Sequence, residues 1–134
     1  MFEEIAYFRS LDVYGVVLGV LNDNNTVDIN LTNKLVKAAG KLDVTFHKAI
    51  DSCDNILEEL RMIINNTRVS TILTSGGFKD AFAGHEVIKE MIKISGKNIS
   101  IIVAGSVTSD NILSLHKLIE GKQYHGKRIV DWLQ

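Results

Sequence analysis

Val44-Thr-Phe-His-Lys-Ala-Ile-Asp51 is the stretch whose reading decides the fold. Four β-favouring or apolar residues run into a histidine, a lysine and an aspartate within eight positions. Side chains alternate along a strand with period two, so Thr45 and His47 share one face and Val44 and Phe46 the other. A strand buried for packing alone has no use for ionisable groups at its final positions. Ligand-facing residues at the carboxyl end of a parallel strand are a common reason to place them there. The plainer alternative is a hydrogen-bonded core histidine at 47 and a helix cap at Asp51, since aspartate is a favoured N-cap.

Outward from this stretch, apolar runs and amphipathic segments alternate. Towards the N-terminus, Leu31, Leu35, Val36 and Ala39 mark a helix over about 31–39, capped by Asp28 or Asn30 and ended by Gly40. Before it lies the turn cluster Asn22–Asn25, and before that the apolar run 13–21, which reads as a strand buried on both faces. Residues 2–11 have the spacing of a short amphipathic helix. Towards the C-terminus, Ser52 or Asp54 is placed to cap a helix carrying Ile56, Leu57, Leu60, Ile63 and Ile64. A strand over 69–74 runs into Ser75-Gly76-Gly77, and a helix with Val87, Ile88, Met91 and Ile92 follows, ending at Gly96. A strand over 99–104 opens into Gly105-Ser106. Ser109 or Asp110 then caps a helix with Ile112, Leu115, Leu118 and Ile119, stopped by Gly121, and 123–125 reads as a short fifth strand.

Strict β-then-α alternation predicts an α/β fold with a parallel sheet. Strand starts fall about every 24–30 residues, near the repeat of a barrel with roughly 250 residues in eight units. A doubly wound open sheet alternates in the same way, so periodicity leaves both open. The chain has 134 residues, the size of one domain. A net charge of −1 with scattered Lys and Arg points away from nucleic acid and anionic membranes. No apolar run approaches the roughly 20 residues of a membrane span. Cys53 is the single cysteine, so no intrachain disulfide forms, and a reducing cytosolic location is the simplest expectation.

Gly15–Leu21, Val44–Asp51, Ile72-Leu-Thr-Ser-Gly-Gly77, Ile101-Ile-Val-Ala-Gly105 and Tyr124-His-Gly126 occur in an order and at separations that together resemble the CutC family, named for copper homeostasis. The likeness covers nearly the whole chain up to Gly126. It implies a (β/α)8 barrel of TIM type, incomplete here: the chain would begin in the helix before strand four and end at strand eight. An unclosed parallel sheet leaves unpaired edges and exposes side chains that face a barrel interior. The chain is then a fragment of a longer product, a protein that associates with a second copy or a complementing chain over its open side, or a degenerate relative. At three points it departs from the family: Lys48 stands where arginine is usual, Ala104-Gly105-Ser106 replaces a glycine-rich loop, and Lys127-Arg128 follows His125-Gly126 where small residues are usual.

His47, Asp51, Thr74, Ser75, Gly76, Gly105 and His125 all fall at or near predicted strand ends, which converge on one mouth in a parallel barrel. Two histidines, a carboxylate and hydroxyls there would bind a polar or anionic small molecule, with Lys48 adding charge. They would also serve acid–base work, with His47 as acid or base and Asp51 orienting it. Alternatively, these groups simply bond one another to fill the mouth. Gly76-Gly77 would hold a phosphate at a helix start, or make a tight turn. Copper is implied by the resemblance only. Cu(I) prefers thiolate and thioether, and Cys53 is the metal-ligand candidate; Met62 and Met91 read as packing residues. The cysteines usually linked to copper in the family lie outside this chain. His85 and His116 read as surface groups and Trp132 as a cover for apolar surface.

Overall fold

The computed structural model describes residues 15–126, so the expected helix over 2–11 and Trp132 lie outside the described residues. Five strands are present: β1 (Gly15–Leu18), β2 (Asp43–Phe46), β3 (Thr71–Thr74), β4 (Ser100–Val103) and β5 (Gln123–Tyr124). They alternate with α1 (Ile29–Ala39), α2 (Ile56–Asn66), α3 (His85–Ser95) and α4 (Ile112–Ile119). All neighbouring strands are parallel and their order in the sheet is β1-β2-β3-β4-β5. A doubly wound sheet reverses its strand order at a switch point; this one does not. Sequential winding in one direction is the barrel's way of laying down βα units.

Burial alternates along each of the four longer strands. Val16, Leu18, Val44, Phe46, Ile72, Thr74, Ile101 and Val103 are buried on one face, with Leu35, Leu60, Ile63, Ile88, Met91 and Leu115 from the helices completing the core. Each such apolar side chain contributes about 1.5–3 kcal/mol when fully buried. The opposite face carries three register rows, Gly15-Asp43, Val17-Thr45-Thr71-Ser100 and Leu73-Ile102-Gln123. Val17 is 65% exposed there. The expectation that the first strand is buried on both faces is therefore corrected: β1 lies at the edge of the described sheet with one face open. It also ends at Leu18, before the end of the apolar run at Leu21. Beyond Leu18 the backbone turns through Asn22–Asn25, with an antiparallel bridge between Leu21 and Val27 and Asn25 at φ 62°.

Local chemistry explains most element ends. Asp28 accepts a hydrogen bond from the Leu31 N–H at 2.9 Å and caps α1. Gly40 ends α1 at φ +65°, and the Arg68 guanidinium donates to the carbonyls of Val36 and Gly40, fastening that terminus to the start of the next unit. The cap of α2 is Asn55, neither Ser52 nor Asp54, because a 3-10 turn at Lys48–Ser52 takes up the residues between. At α4 neither Ser109 nor Asp110 caps. Asn111 holds the N-cap position, its side chain bonds the Thr108 N–H instead, and Glu120 rather than Gly121 takes the left-handed end position. Gly121 is needed for closeness: a Cβ there would come within 3.1 Å of Val103 and 3.3 Å of the Tyr124 hydroxyl.

Phe46 is fully buried at the centre of this packing. Phe46→Ala is expected to destabilise the fold by about 3–5 kcal/mol. Met62→Ala, on the exposed side of α2, is expected to change it by no more than about 0.5 kcal/mol. Urea denaturation of both variants checks this.

Candidate functional site

β2 stops at Phe46, three residues before the middle of the predicted strand's polar end, and the chain turns at His47. His47 continues the ladder with one bond, its N–H donating to the Leu18 carbonyl at 2.8 Å. Its ring Nδ1 then accepts from the Ala49 N–H at 2.9 Å and caps the 3-10 turn. An acceptor at Nδ1 puts the proton of the neutral ring on Nε2. The ring lies over Gly19, where any Cβ would come within 2.6–2.9 Å of three ring atoms. A side chain at residue 19 would displace the imidazole.

The 3-10 turn delivers Asp51 to the loop after β3. Oδ1 accepts from the Thr74 hydroxyl and, at 3.1 Å, from the Gly77 N–H; Oδ2 accepts from the Ser75 N–H at 3.0 Å. The Ser75 hydroxyl lies 2.9 Å from Oδ2 and 2.7 Å from the Phe78 carbonyl, so its one proton serves one or the other. Lys48 Nζ stands 3.9 Å from Oδ2, a part-exposed ion pair of little energetic weight. The Gly76 N–H in turn donates to the Thr74 hydroxyl oxygen at 2.9 Å. The three successive N–H groups of Ser75, Gly76 and Gly77 are thus all directed inward. Gly76 and Gly77 sit at φ +75° and +85°, and a Cβ on Gly76 would meet the Gly84 carbonyl at 2.6 Å.

Of the two readings of Gly76-Gly77, this is the tight turn, and its anion cradle is filled by the protein's own carboxylate. Among the described residues Asp51 makes no hydrogen bond to His47, whose Nδ1 is committed to Ala49. Asp51 is therefore the strut of the βα loop and not the group that orients His47. Thr74 and Ser75 are fully buried and support the mouth from beneath.

Gly105, at φ +105°, packs against Ser75: a Cβ there would stand 2.9 Å from that of Ser75. Its carbonyl accepts from the Ala81 N–H, which ties the β4 loop to the β3 loop. His125 follows β5, pairs through its N–H with the Val103 carbonyl at 2.8 Å, and is exposed. His47 and His125 thus both sit just past the carboxyl ends of their strands. His47, Lys48 and His125 have surface to offer a ligand; Asp51, Thr74, Ser75, Gly76 and Gly105 hold the frame. Sequence reasoning missed Gly19 and Gly84, although a glycine inside an apolar strand run is a known sign of close approach.

Cys53 is buried beneath this loop. Burial, and then the negative charges of Glu59, Asp54 and Asp51, push its thiol up to about 11. It stays protonated at neutral pH, the wrong state for a soft metal ligand. Met91 is buried with Sδ 3.8 Å from the Thr74 hydroxyl, and Met62 lies on the exposed side of α2. Among the described residues no three His, Cys, Asp or Glu side chains gather as a metal site. These sulfur donors do not fit Cu(I).

A family model for the CutC family matches residues 1–130. The chain belongs to the CutC family. It is 32% identical over 125 residues to a CutC family protein of Histophilus somni, covering 93% of this chain and 51% of that protein. It is 36% identical over 129 residues to the copper homeostasis protein cutC homolog of Dictyostelium discoideum, covering 83% and 46%. In three dimensions it is similar to a Streptococcus agalactiae CutC protein, with a TM-score of 0.88 and 26% identity over 96% of this chain and 62% of that one. The five strands are accordingly part of an incomplete barrel. The chain spans about half the length of the curated relatives it matches. No helix among the described residues is long and apolar enough to cross a membrane.

Two outcomes test this account of the site. Asp51→Asn replaces one acceptor oxygen with an amide that faces N–H groups, and is expected to cost about 1–3 kcal/mol in urea denaturation. Cys53 has a folded value above its ordinary 9.0, so its neutral form favours the fold. That contribution is fully present below about pH 9 and is lost as pH rises towards 11. The wild type is expected to lose stability over this window more steeply than Cys53→Ala, and to react slowly with a thiol reagent at pH 8.

Proposed function

We propose that this CutC protein serves copper homeostasis in the cytosol through a small-anion site at the strand-end mouth. The observation that carries this reading is the state of His47. With Nδ1 holding the Ala49 N–H, the neutral ring presents Nε2–H as a donor, and among the described residues that donor has no partner. Lys48 follows in sequence and His125 is exposed at the β5 end, so the groups offered at this end of the sheet are hydrogen-bond donors and a cation. Such a set suits a carboxylate or phosphate.

An acid–base enzyme is the less supported reading. For His47 to act as a base at Nε2 it would give up the Ala49 bond, and Asp51 is engaged elsewhere. Direct carriage of Cu(I) draws support from the names of the relatives, but needs donors beyond the protonated Cys53.

The reading extends to a partner. Among the described residues β1 and β5 are edge strands, and the face bearing Val17 is uncovered. Exposed parallel edges invite pairing. A second copy, joining β1 of one chain to β5 of the other around a two-fold axis, covers the face and removes both edges. A net charge of −1 sets no electrostatic barrier to that association.

Isothermal titration of the chain with inorganic phosphate is expected to show saturable binding that His47→Ala abolishes and Lys48→Met weakens about tenfold. Binding unchanged in His47→Ala would refute the site. Anaerobic Cu(I) titration is expected to show no uptake that Cys53→Ala removes. Size-exclusion chromatography with light scattering is expected to give twice the chain mass; a folded species of single-chain mass would refute the pairing.

A further inference from the structure

The N-terminal end of β4 lies at the end of the sheet opposite the mouth. There the end of α3, the start of β4 and the approach to β5 enclose a cavity of about 140 Å3. Ile92, Ile99 and Ile101 give it apolar walls, and Ser95, Ser100, Lys122 and Gln123 are the polar groups on it. None of these residues belongs to the mouth.

Ser95 is the informative member. It is 1% exposed, and its hydroxyl has no hydrogen-bond partner. A helical serine ordinarily returns its proton to a carbonyl one turn back, and buried hydroxyls without a partner are rare because they forfeit their bonds to water. Gly96 adds room beside it: a Cβ built there meets nothing within 4 Å. Lys122 is exposed at the cavity and, among the described residues, forms no ion pair. The carbonyl end of α3 opposes an anion less than a bare helix terminus would, because two carbonyls of its last turn are already satisfied. The Ile92 carbonyl accepts from the Gly96 N–H at 3.1 Å and the Ser95 carbonyl from the Asn98 N–H at 2.8 Å.

An ammonium, a hydroxyl without a partner and three isoleucines select an occupant with one negative end and a short hydrocarbon body. A cavity of about 150 Å3 with apolar walls holds a benzene ring, which limits that body to about four to six carbons. We propose that this cavity is a second binding site, separate from the mouth, for a short branched-chain carboxylate. The carboxylate accepts from the Ser95 hydroxyl and from Lys122, and the branched chain lies against Ile92, Ile99 and Ile101.

The test is a two-dimensional amide NMR titration of the intact chain with isovalerate, isoamyl alcohol and isopentylamine, which share one hydrocarbon body. Isovalerate is expected to give saturable shifts confined to the amides of Ser95, Gly96, Ile99, Ile101 and Lys122. The alcohol is expected to bind about tenfold more weakly, and the amine not at all. Lys122→Gln, a surface change, is expected to weaken isovalerate about tenfold, and Ser95→Ala several-fold, while His47→Ala leaves it unchanged. Absence of saturable shifts, equal binding of the amine, or unaltered affinity in Lys122→Gln overturns the proposal.

Discussion

One carboxylate holds the mouth of this sheet together. Asp51 leaves the end of β2 on a single 3-10 turn and receives the Thr74 hydroxyl and the N–H groups of Ser75 and Gly77 from the loop after β3. Loops after parallel strands carry backbone donors that nothing in the sheet can satisfy. Here a side chain from the neighbouring unit satisfies them. The two glycines exist to bring those donors round, at backbone angles other residues avoid. Gly105 then packs on Ser75, so a third unit rests on the same loop. With the frame fixed by Asp51, His47 is half-buried over Gly19 and His125 is exposed.

That division of labour separates the family's name from the chemistry of this chain. Membership in CutC is plain from the match over residues 1–130. Cu(I) prefers thiolates or thioethers, and the single thiol here is kept protonated by burial and three carboxylates. The donor without a partner among the described residues is the His47 Nε2–H, and the Lys48 ammonium beside it is shared with Asp51 at 3.9 Å. Among the described residues the sheet beneath them is covered by helices on one face only, and the chain spans about half the length of the curated relatives it matches.

Much of the architecture was legible because periodicity reports burial. Four apolar runs, a short fifth segment and four helical stripes marked the five strands and four α-helices, and the motif order pointed to a barrel before strand order did. The boundaries were less legible. Residues 44–51 read as one strand because nothing local announces that a histidine ring will cap a 3-10 turn through its own Nδ1. The run 13–21 read as doubly buried because its composition matches an interior strand; its position at the edge of the described sheet is a property of the assembly, not of the segment. Asp51 and His47 read as a dyad because they are four residues apart at a strand end. Only three-dimensional placement reveals that a donor-rich loop 23 to 26 residues further on claims the carboxylate.

The account depends on Asp51 binding the loop N–H groups in solution, and native-state amide hydrogen exchange reads this most directly. Gly77 is exposed in the loop after β3, where amides ordinarily exchange within the dead time of the measurement, and Ser75 is its buried neighbour bonded to the same carboxylate. If the carboxylate holds them, their protection matches that of the Ile72 and Leu73 amides in β3. Exchange of Ser75 and Gly77 at the rate of unstructured chain, with β3 still protected, would contradict it.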